Sequence, residues 1–273
     1  RVIVLTDIEN EPDDEQSLVR FLTYARQCDV EALIATTSVH TALYKAHDAT
    51  DERFQERDFR SEGDSPAFLH TIVTGLRNLE SPDWGGWGGR YVRVRDNTWL
   101  DPVPVAGYEY PEGRWYSTTA WGRNSLRDGT KTTGEQRREY FEPIWRWADA
   151  LQHDFAARAD WCVKPYGEAN HPPVVALGHA ADLVVRPGAT VKLSARGTSD
   201  PDGDELEYRW WQYRDAGSYD GAVEIRDGEK PDAAFAVPDD AGAGEMIHLI
   251  VEVRDGGTPP LTRYQRVVAT VGR

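Results

Sequence analysis

The chain has 273 residues, 40% of them hydrophobic and 28% charged, and at ~100–200 residues per domain this length suggests about two domains, each able to bury a core. No run approaches the ~20 consecutive apolar residues of a membrane span, so no transmembrane helix is expected. With 46 Asp+Glu against 31 Lys+Arg the net charge is −15, a balance that repels the phosphate backbone which nucleic-acid-binding proteins neutralise with Lys and Arg, so nucleic acid is excluded as a partner.

The chain opens at Arg1 with neither Met nor an apolar leader, which is expected of a mature form or an excerpt whose export signal has been removed. Val2-Ile3-Val4-Leu5 reads as a strand, the polar stretch after it as a loop, and Leu18, Phe21, Leu22 and Ala25 as the apolar face of a helix. Pro12 suits a first helical turn, and Asp13, Asp14 and Glu15 lie near the positive end of the helix dipole. Val30 to Thr37 is a second β-branched run. Strand, helix, strand predicts a βαβ unit with parallel strands.

Residues 39 to 61 are polar and lack a period. Pro66 to Leu76 carries apolar residues at 68, 69, 72, 73 and 76, which predicts a helix ending near Gly75, with acidic Glu62-Gly63-Asp64 ahead of it. From Asp83 to Trp121 the composition turns to Trp, Gly, Pro and Tyr, predicting irregular structure with short strands. Glu135 to Cys162 returns to helix, with Ile144, Trp147, Leu151, Phe155 and Ala159 along one face. After Asn170-His171-Pro172-Pro173 come strand-like runs at Thr190–Ser194, Leu206–Trp211, Ala233–Val237, Met246–Val253 and Arg266–Val271, separated by turn residues. The expected architecture is therefore an α/β domain with a parallel sheet over residues 1–168, followed by an immunoglobulin-like all-β sandwich over 169–273. Trp210 and Trp211 alternate across a strand, so one should face the sandwich core and the other the outside or the first domain.

Asp7, Glu9, Glu11, Asp13, Asp14 and Glu15 crowd into one loop and the first turn after it. Anions this close repel one another unless a cation sits among them, and in open α/β sheets ligands bind just beyond the carboxyl ends of the strands. A Gly-rich phosphate loop is absent at this place, which leaves a hard cation with oxygen ligands, calcium or magnesium, as the natural occupant. The competing reading is a solvated acidic helix start, where each carboxylate contributes only ~0.3–1 kcal/mol. Asp7 favours the site, because it follows a buried strand, where an unpartnered carboxylate would cost several kcal/mol.

These residues resemble known ones. Val4-Leu5-Thr6-Asp7 followed by Pro12-Asp13-Asp14 resembles the aspartate-rich amino-terminal motif of nucleoside hydrolases, and the string from Leu5 to Leu18 resembles a bacterial cellulose-binding family in which a nucleoside-hydrolase-like domain precedes a β-sandwich. Ile34-Ala-Thr-Thr-Ser38, Glu62-Gly-Asp-Ser-Pro66, Pro82-Asp-Trp-Gly-Gly-Trp-Gly-Gly-Arg90 and Asn170-His-Pro-Pro173 fit that family too. The resemblance implies calcium held by Asp7, Asp14 and Asp64, with Asp7 as general base on the attacking water and Asp13 as a catalytic-site contact to sugar hydroxyls. Glu9, Asn10 and Glu62 would lie toward the substrate; Glu9, Glu11 or Glu62 would be the acid if the enzyme were a two-carboxylate glycosidase, whose carboxyl groups stand ~5–9.5 Å apart. The motif departs from the hydrolase pattern by two extra residues between Asp7 and Asp13, and by Glu9 and Glu11 replacing a Pro-Gly turn. Only about 23 residues separate Ser38 from Glu62, where the family has most of a doubly wound domain. Either the middle of the domain is absent, or the sequence joins pieces of a longer chain; the second is favoured, because a sheet covered on both faces does not lose most of its strands and keep a core.

Seven histidines are scattered without a metal-binding pair, and no Gly-x-Ser-x-Gly elbow supports serine chemistry. Trp84, Trp87 and Arg90 either line a sugar subsite, with glycines allowing close approach, or form a tight aromatic loop capping the core. Ser199-Asp-Pro-Asp-Gly-Asp204 resembles a loop of polycystic-kidney-disease-type and cadherin-like sandwiches, some of which bind calcium there; a turn held by its own Asp side chains is the favoured reading. The expected function is calcium-dependent hydrolysis of a furanosyl or related glycosidic bond in a polysaccharide or glycoconjugate by an extracytoplasmic protein. Its rival is a non-catalytic binder of cellulose or a related glycan, and a third reading has the sandwich serve only attachment or homodimer contacts.

Overall fold

The computed structural model describes residues 2–6, 12–27, 30–35, 68–96, 98–100, 142–144 and 146–273. Strands β1 (Val2–Thr6) and β2 (Val30–Ala35) pair in parallel, with Leu5 opposite Ile34 and Thr6 opposite Ala35, and helix α1 (Pro12–Tyr24) crosses between them. The buried stripe of α1 differs from the expected one: Ser17, Arg20, Phe21 and Tyr24 are covered, whereas Leu22 is 52% exposed. Its neighbour explains the rotation. Arg20 lays its guanidinium over the Phe155 ring at 4.2 Å and donates to Gln152 Oε1 at 3.3 Å, so the face turned inward carries a long cationic stem as well as aromatics.

After the hairpin of β3 (Val92–Arg95) and β4 (Thr98–Leu100) comes α2 (Ala148–Val163). α2 buries Leu151, Asp154, Ala157 and Arg158 and leaves Ala159 exposed. The predicted stripe, spaced by four residues beyond Trp147, drifts ~40° per step around a helix of 3.6 residues per turn; three steps carry Ala159 off the buried face.

Residues 182–271 form two sheets. β5 (Asp182–Val185), β11 (Thr262–Val271), β10 (Met246–Asp255) and β7 (Leu206–Gln212) lie side by side in that order, and β6 (Thr190–Ser194), β9 (Asp232–Ala236) and β8 (Ile225–Arg226) make the second sheet. Leu193, Trp210, Phe235, Ile247, Leu249, Val251, Val267 and Ala269 share one core between them. The near-continuous apolar run of β10 has a specific cause: Ile247, Leu249 and Val251 face that core, while Ile250 on the opposite face joins a second core with Tyr24, Leu69, Ile72, Leu76, Trp87, Trp147, Leu151, Tyr213 and Tyr264. A strand buried on both faces does not alternate. The four-stranded sheet is thus a middle layer, with helices and an aromatic loop on its outer face.

The helix predicted to end near Gly75 does not extend that far. Helix is present at Phe68 and Leu69, and the chain then turns and runs beside β11, where Thr74 and Gly75 accept the backbone N–H groups of Tyr264 (3.0 Å) and Arg266 (3.1 Å). β5 pairs with β11 only from Val268 onward, so this segment covers ladder positions that β5 leaves open. Gly75 holds φ +95°, and a Cβ there would stand 1.8 Å from the Tyr264 carbonyl oxygen, so no other residue fits this approach.

Candidate functional site

The acidic motif straddles the end of β1 and the start of α1. Asp13 and Asp14 occupy the first turn of α1. Asp7, Glu9, Asn10, Glu62 and Asp64 lie outside the described residues.

Trp84, Trp87 and Arg90 belong to one compact loop. A 3-10 turn at Pro82–Trp84 leads through Gly85 into a tight hairpin in which Gly86 and Gly89 exchange backbone hydrogen bonds of 3.0 and 2.8 Å. Arg90 Nε closes the loop on the Asp83 carbonyl at 2.9 Å. Trp87, at the tip, is 1% exposed and packs in the second core, so at this residue the loop caps the core and offers no face to a sugar. Trp84 and Arg90 remain partly accessible.

The loop is held by Arg266 of β11, which is fully buried. Its Nε donates to the Leu76 carbonyl (2.6 Å), and Nη2 donates to those of Trp84 (2.6 Å) and Gly85 (3.0 Å). Nη1 lies 3.2 Å from His248 Nδ1. A guanidinium only donates, so Nδ1 accepts and the imidazole is neutral. Burial, with the Arg266 and Arg77 charges, pushes the His248 pKa down to about 3. The unfolded chain takes up this proton below pH ~6.5, whereas the fold refuses it down to about 3, so stability should fall with pH across that window by ~1.4 kcal/mol per unit. In His248→Gln, which keeps an acceptor for Arg266, this slope in urea midpoint against pH should flatten by about one proton.

A cleft of about 300 Å³ opens on the outer face of the sheet, lined by Glu142, Arg146, Trp147, Arg209, Trp211, Glu252 and neighbours. Trp210 faces the inter-sheet core, and Trp211 faces the outer layer, packing 6.0 Å from Trp147. Arg146 and Arg209 lie 6.0 and 5.8 Å from the Trp211 ring centre. Arg146 is paired with Glu142 (2.8 Å from Nε) and Asp215 (2.9 Å). Burial raises the Glu252 carboxyl against the pull of Arg209 and Arg254. The cleft therefore offers an indole flanked by carboxylates and guanidinium groups, the mixture that grips polyhydroxylated rings by stacking and hydrogen bonding. The Trp-Trp pair signalled Trp211; Glu252, Arg146 and Arg209 carried no motif.

A family model for the nucleoside-hydrolase-like domain of cellulose-binding Sde182 matches residues 1–52 and 45–91, and one for the C-terminal domain of cellulose-binding protein Sde0182 matches 190–271. A solved nucleoside hydrolase-related protein from Saccharophagus degradans, associated with carbohydrate metabolism, is 34% identical, with a TM-score of 0.58 over 80% of this chain and 49% of that one. This chain thus spans about half the length of that protein. A PKD domain from the KIAA 1837 protein (15% identity, TM-score 0.27, 36% of this chain and 86% of that chain) and cadherin domains of protocadherin gamma B2 (21%, 0.26, 37% and 26%) also match. No curated protein matches significantly. No helix among the described residues is long and apolar enough to cross a membrane. With both models drawn from one family and together matching 1–91 and 190–271, the chain belongs to the Sde182 cellulose-binding family with an amino-terminal nucleoside-hydrolase-like domain.

Proposed function

We propose that this chain is part of an extracytoplasmic carbohydrate-active protein, whose amino-terminal region hydrolyses a furanosyl or related glycosidic bond of a polysaccharide or glycoconjugate and whose residues 169–273 form an immunoglobulin-like sandwich. The observation that carries the reading is the β1–α1–β2 unit, in which a parallel strand runs into an acidic connection and the next helix starts with Pro12-Asp13-Asp14. That is where open α/β sheets place ligands. Asp7, Asp14 and Asp64, a donor set of carboxylates alone, suit a hard cation. Calcium bound there would orient sugar hydroxyls and acidify a water. Asp7 would take the proton from the attacking water, Asp13 would receive sugar hydroxyls, and Glu9, Asn10, Glu62, Trp84 and Arg90 would line the approach. Trp87 supports the loop from within the core.

The test is turnover of an aryl furanoside by the full-length protein. Asp7→Asn should lower it 10²-fold or more, as loss of a general base does, and chelation should abolish it until calcium is restored. Turnover unchanged in Asp7→Asn would remove the base from this reading. The Trp211 cleft favours a second reading, non-catalytic binding of cellulose or a related glycan. Under it no turnover appears, retention on insoluble glycan ignores both Asp7→Asn and chelator, and Trp211→Ala weakens retention about ten-fold, or ~1.4 kcal/mol.

A further inference from the structure

We propose that the Trp211 cleft selects a sugar chain carrying isolated uronic acid units, whose carboxylate is received by Arg209 and Arg214. The inference rests on the glycan-binding reading of this cleft and adds the chemical class of its ligand. Three guanidinium groups line the cleft, and they are not equally engaged. Arg146 is held by two carboxylates, Glu142 (2.8 Å from Nε) and Asp215 (2.9 Å). Arg209 and Arg214 are exposed, and among the described residues neither forms an ion pair: Arg209 meets the Trp211 ring at 5.8 Å, and Arg214, in the turn Arg214–Ala216 that follows β7, gives Nη2 to the Asp220 carbonyl. Gln212 spends both ends of its amide, Nε2 on the Gly221 carbonyl (2.9 Å) and Oε1 on the Val223 N–H (2.9 Å), and the indole N–H groups of Trp147 and Trp211 are buried. The donors left open to a ligand are therefore guanidinium forks, which match a carboxylate better than they match single hydroxyls.

Glu252 stands opposite Arg209 across the β7–β10 ladder. Its burial favours the neutral form against the pull of Arg209 and Arg254, so it opposes an incoming anion less than a solvated carboxylate would. The half-buried Trp211 indole sets a flat apolar face beside the two forks, which suits a ring bearing the carboxylate rather than a bare anion. At about 300 Å³ the cleft is at the small end of ligand sites and takes a short stretch of a longer chain. The net charge of −15 decides how densely that chain is charged. A polyuronate with a carboxylate on every unit is repelled as a nucleic acid is. A mostly neutral chain instead brings one carboxylate inside the ~8–10 Å over which the two guanidinium groups act.

The test is titration calorimetry of the full-length protein with a xylo-oligosaccharide carrying one glucuronic acid, and with the same compound reduced at its carboxyl group to the neutral sugar. The acidic form should bind at least ten-fold more tightly, as a charge-assisted fork requires. That margin should shrink as salt rises from about 0.05 to 0.5 M, because the arginines are exposed and screened. Arg209→Gln and Arg214→Gln should each cut the margin to about three-fold or less, and Arg209→Lys, which keeps the charge without the fork, should retain part of it. Trp211→Ala should weaken both forms together, which places them in the cleft. Equal affinity for the two forms would overturn the acidic preference and leave the glycan reading standing. Binding of neither form, or a Trp211→Ala variant that holds both as tightly as the unaltered protein, would remove the cleft from both readings. A margin unchanged in both glutamine variants would also overturn the proposal.

Discussion

Asp154→Ala is expected to destabilise the protein by roughly 3–5 kcal/mol, the usual cost of removing one partner from a buried ion pair, read as a lower urea midpoint. Asp154 is fully buried on α2 and gathers three donors from three parts of the chain: the Tyr24 hydroxyl of α1 (2.6 Å), Arg158 Nε one turn along α2 (2.7 Å) and Arg263 Nη2 of β11 (2.6 Å). Arg158, itself 2% exposed, lies over the Tyr24 ring at 3.8 Å and reaches the Thr23 carbonyl at 3.3 Å. Without the carboxylate, Arg158 keeps a buried charge faced by neutral groups, the Tyr24 and Trp161 rings, the Thr23 carbonyl and the Gln27 amide oxygen. Most of the loss comes from that orphaned charge, since the intact pair also carries the cost of taking ions out of water. Asp154→Asn preserves the shape but not the charge and should lose less.

The same carboxylate gives the protein an acid limit. Burial works against its ionised form, yet Arg263, Arg158 and the Tyr24 hydrogen bond outweigh burial and hold the carboxyl below the ordinary carboxylate range. Its contribution is complete above the unfolded value of ~3.9 and disappears as pH falls through the lower folded value. Asp154→Ala should therefore show a shallower acid limb. Because Asp154 joins α1, α2 and β11, the variant should also have a lower m-value if the outer layer opens ahead of the sheets.

Much of this architecture was legible in the chain. The run Val2 to Leu5, the acidic connection and the run from Val30 mark β1, α1 and β2, and Thr190–Ser194 is a strand with the bounds its turn residues suggest. β5 was missed because Asp182-Leu-Val-Val is short, and β8 because it has two residues. What periodicity could not show is which face a neighbour covers. The stripe of α1 turned toward Arg20, which packs on Phe155, that of α2 toward Asp154 and Arg158, which meet Tyr24 and Arg263, and residues 70–76 gave up helix for a place beside β11 that only Gly75 allows. Within the aromatic loop, spacing alone could not separate a sugar platform from a core plug, and burial assigns Trp87 to the plug. One signal was present unread: His248 and Arg266 interrupt strands that are otherwise apolar on both faces, and a polar residue kept in such a run has partners to satisfy it.

Arg266→Met is the second large expected effect, a loss of roughly 3 kcal/mol or more. Methionine removes the desolvation that pushes this guanidinium down to about 10, a gain that works against the loss. It also strands three carbonyls, those of Leu76, Trp84 and Gly85, that no other side chain among the described residues reaches. Each bond from a charged donor contributes ~1.5–3 kcal/mol, and a buried acceptor left unpaired costs ~1–3 kcal/mol, so the three together exceed the relief. Gly85 holds φ +70°, and a Cβ there would collide with the Tyr213 hydroxyl, so the loop is fitted to glycine at this point and has no side chain of its own to take over from Arg266. The loop should lift from the sheet, carrying Trp84 off His248, which it meets edge-on at 5.0 Å. Near-ultraviolet circular dichroism from this aromatic pair should weaken along with the fall in stability. Arg266→Lys supplies one ammonium for carbonyls that a planar fork serves together, so it should recover only part of both. If Trp84 and Arg90 serve the sugar, Arg266→Met should also raise KM for the aryl furanoside more than it lowers kcat, because a displaced subsite weakens binding while the acidic motif at the start of α1 is left intact.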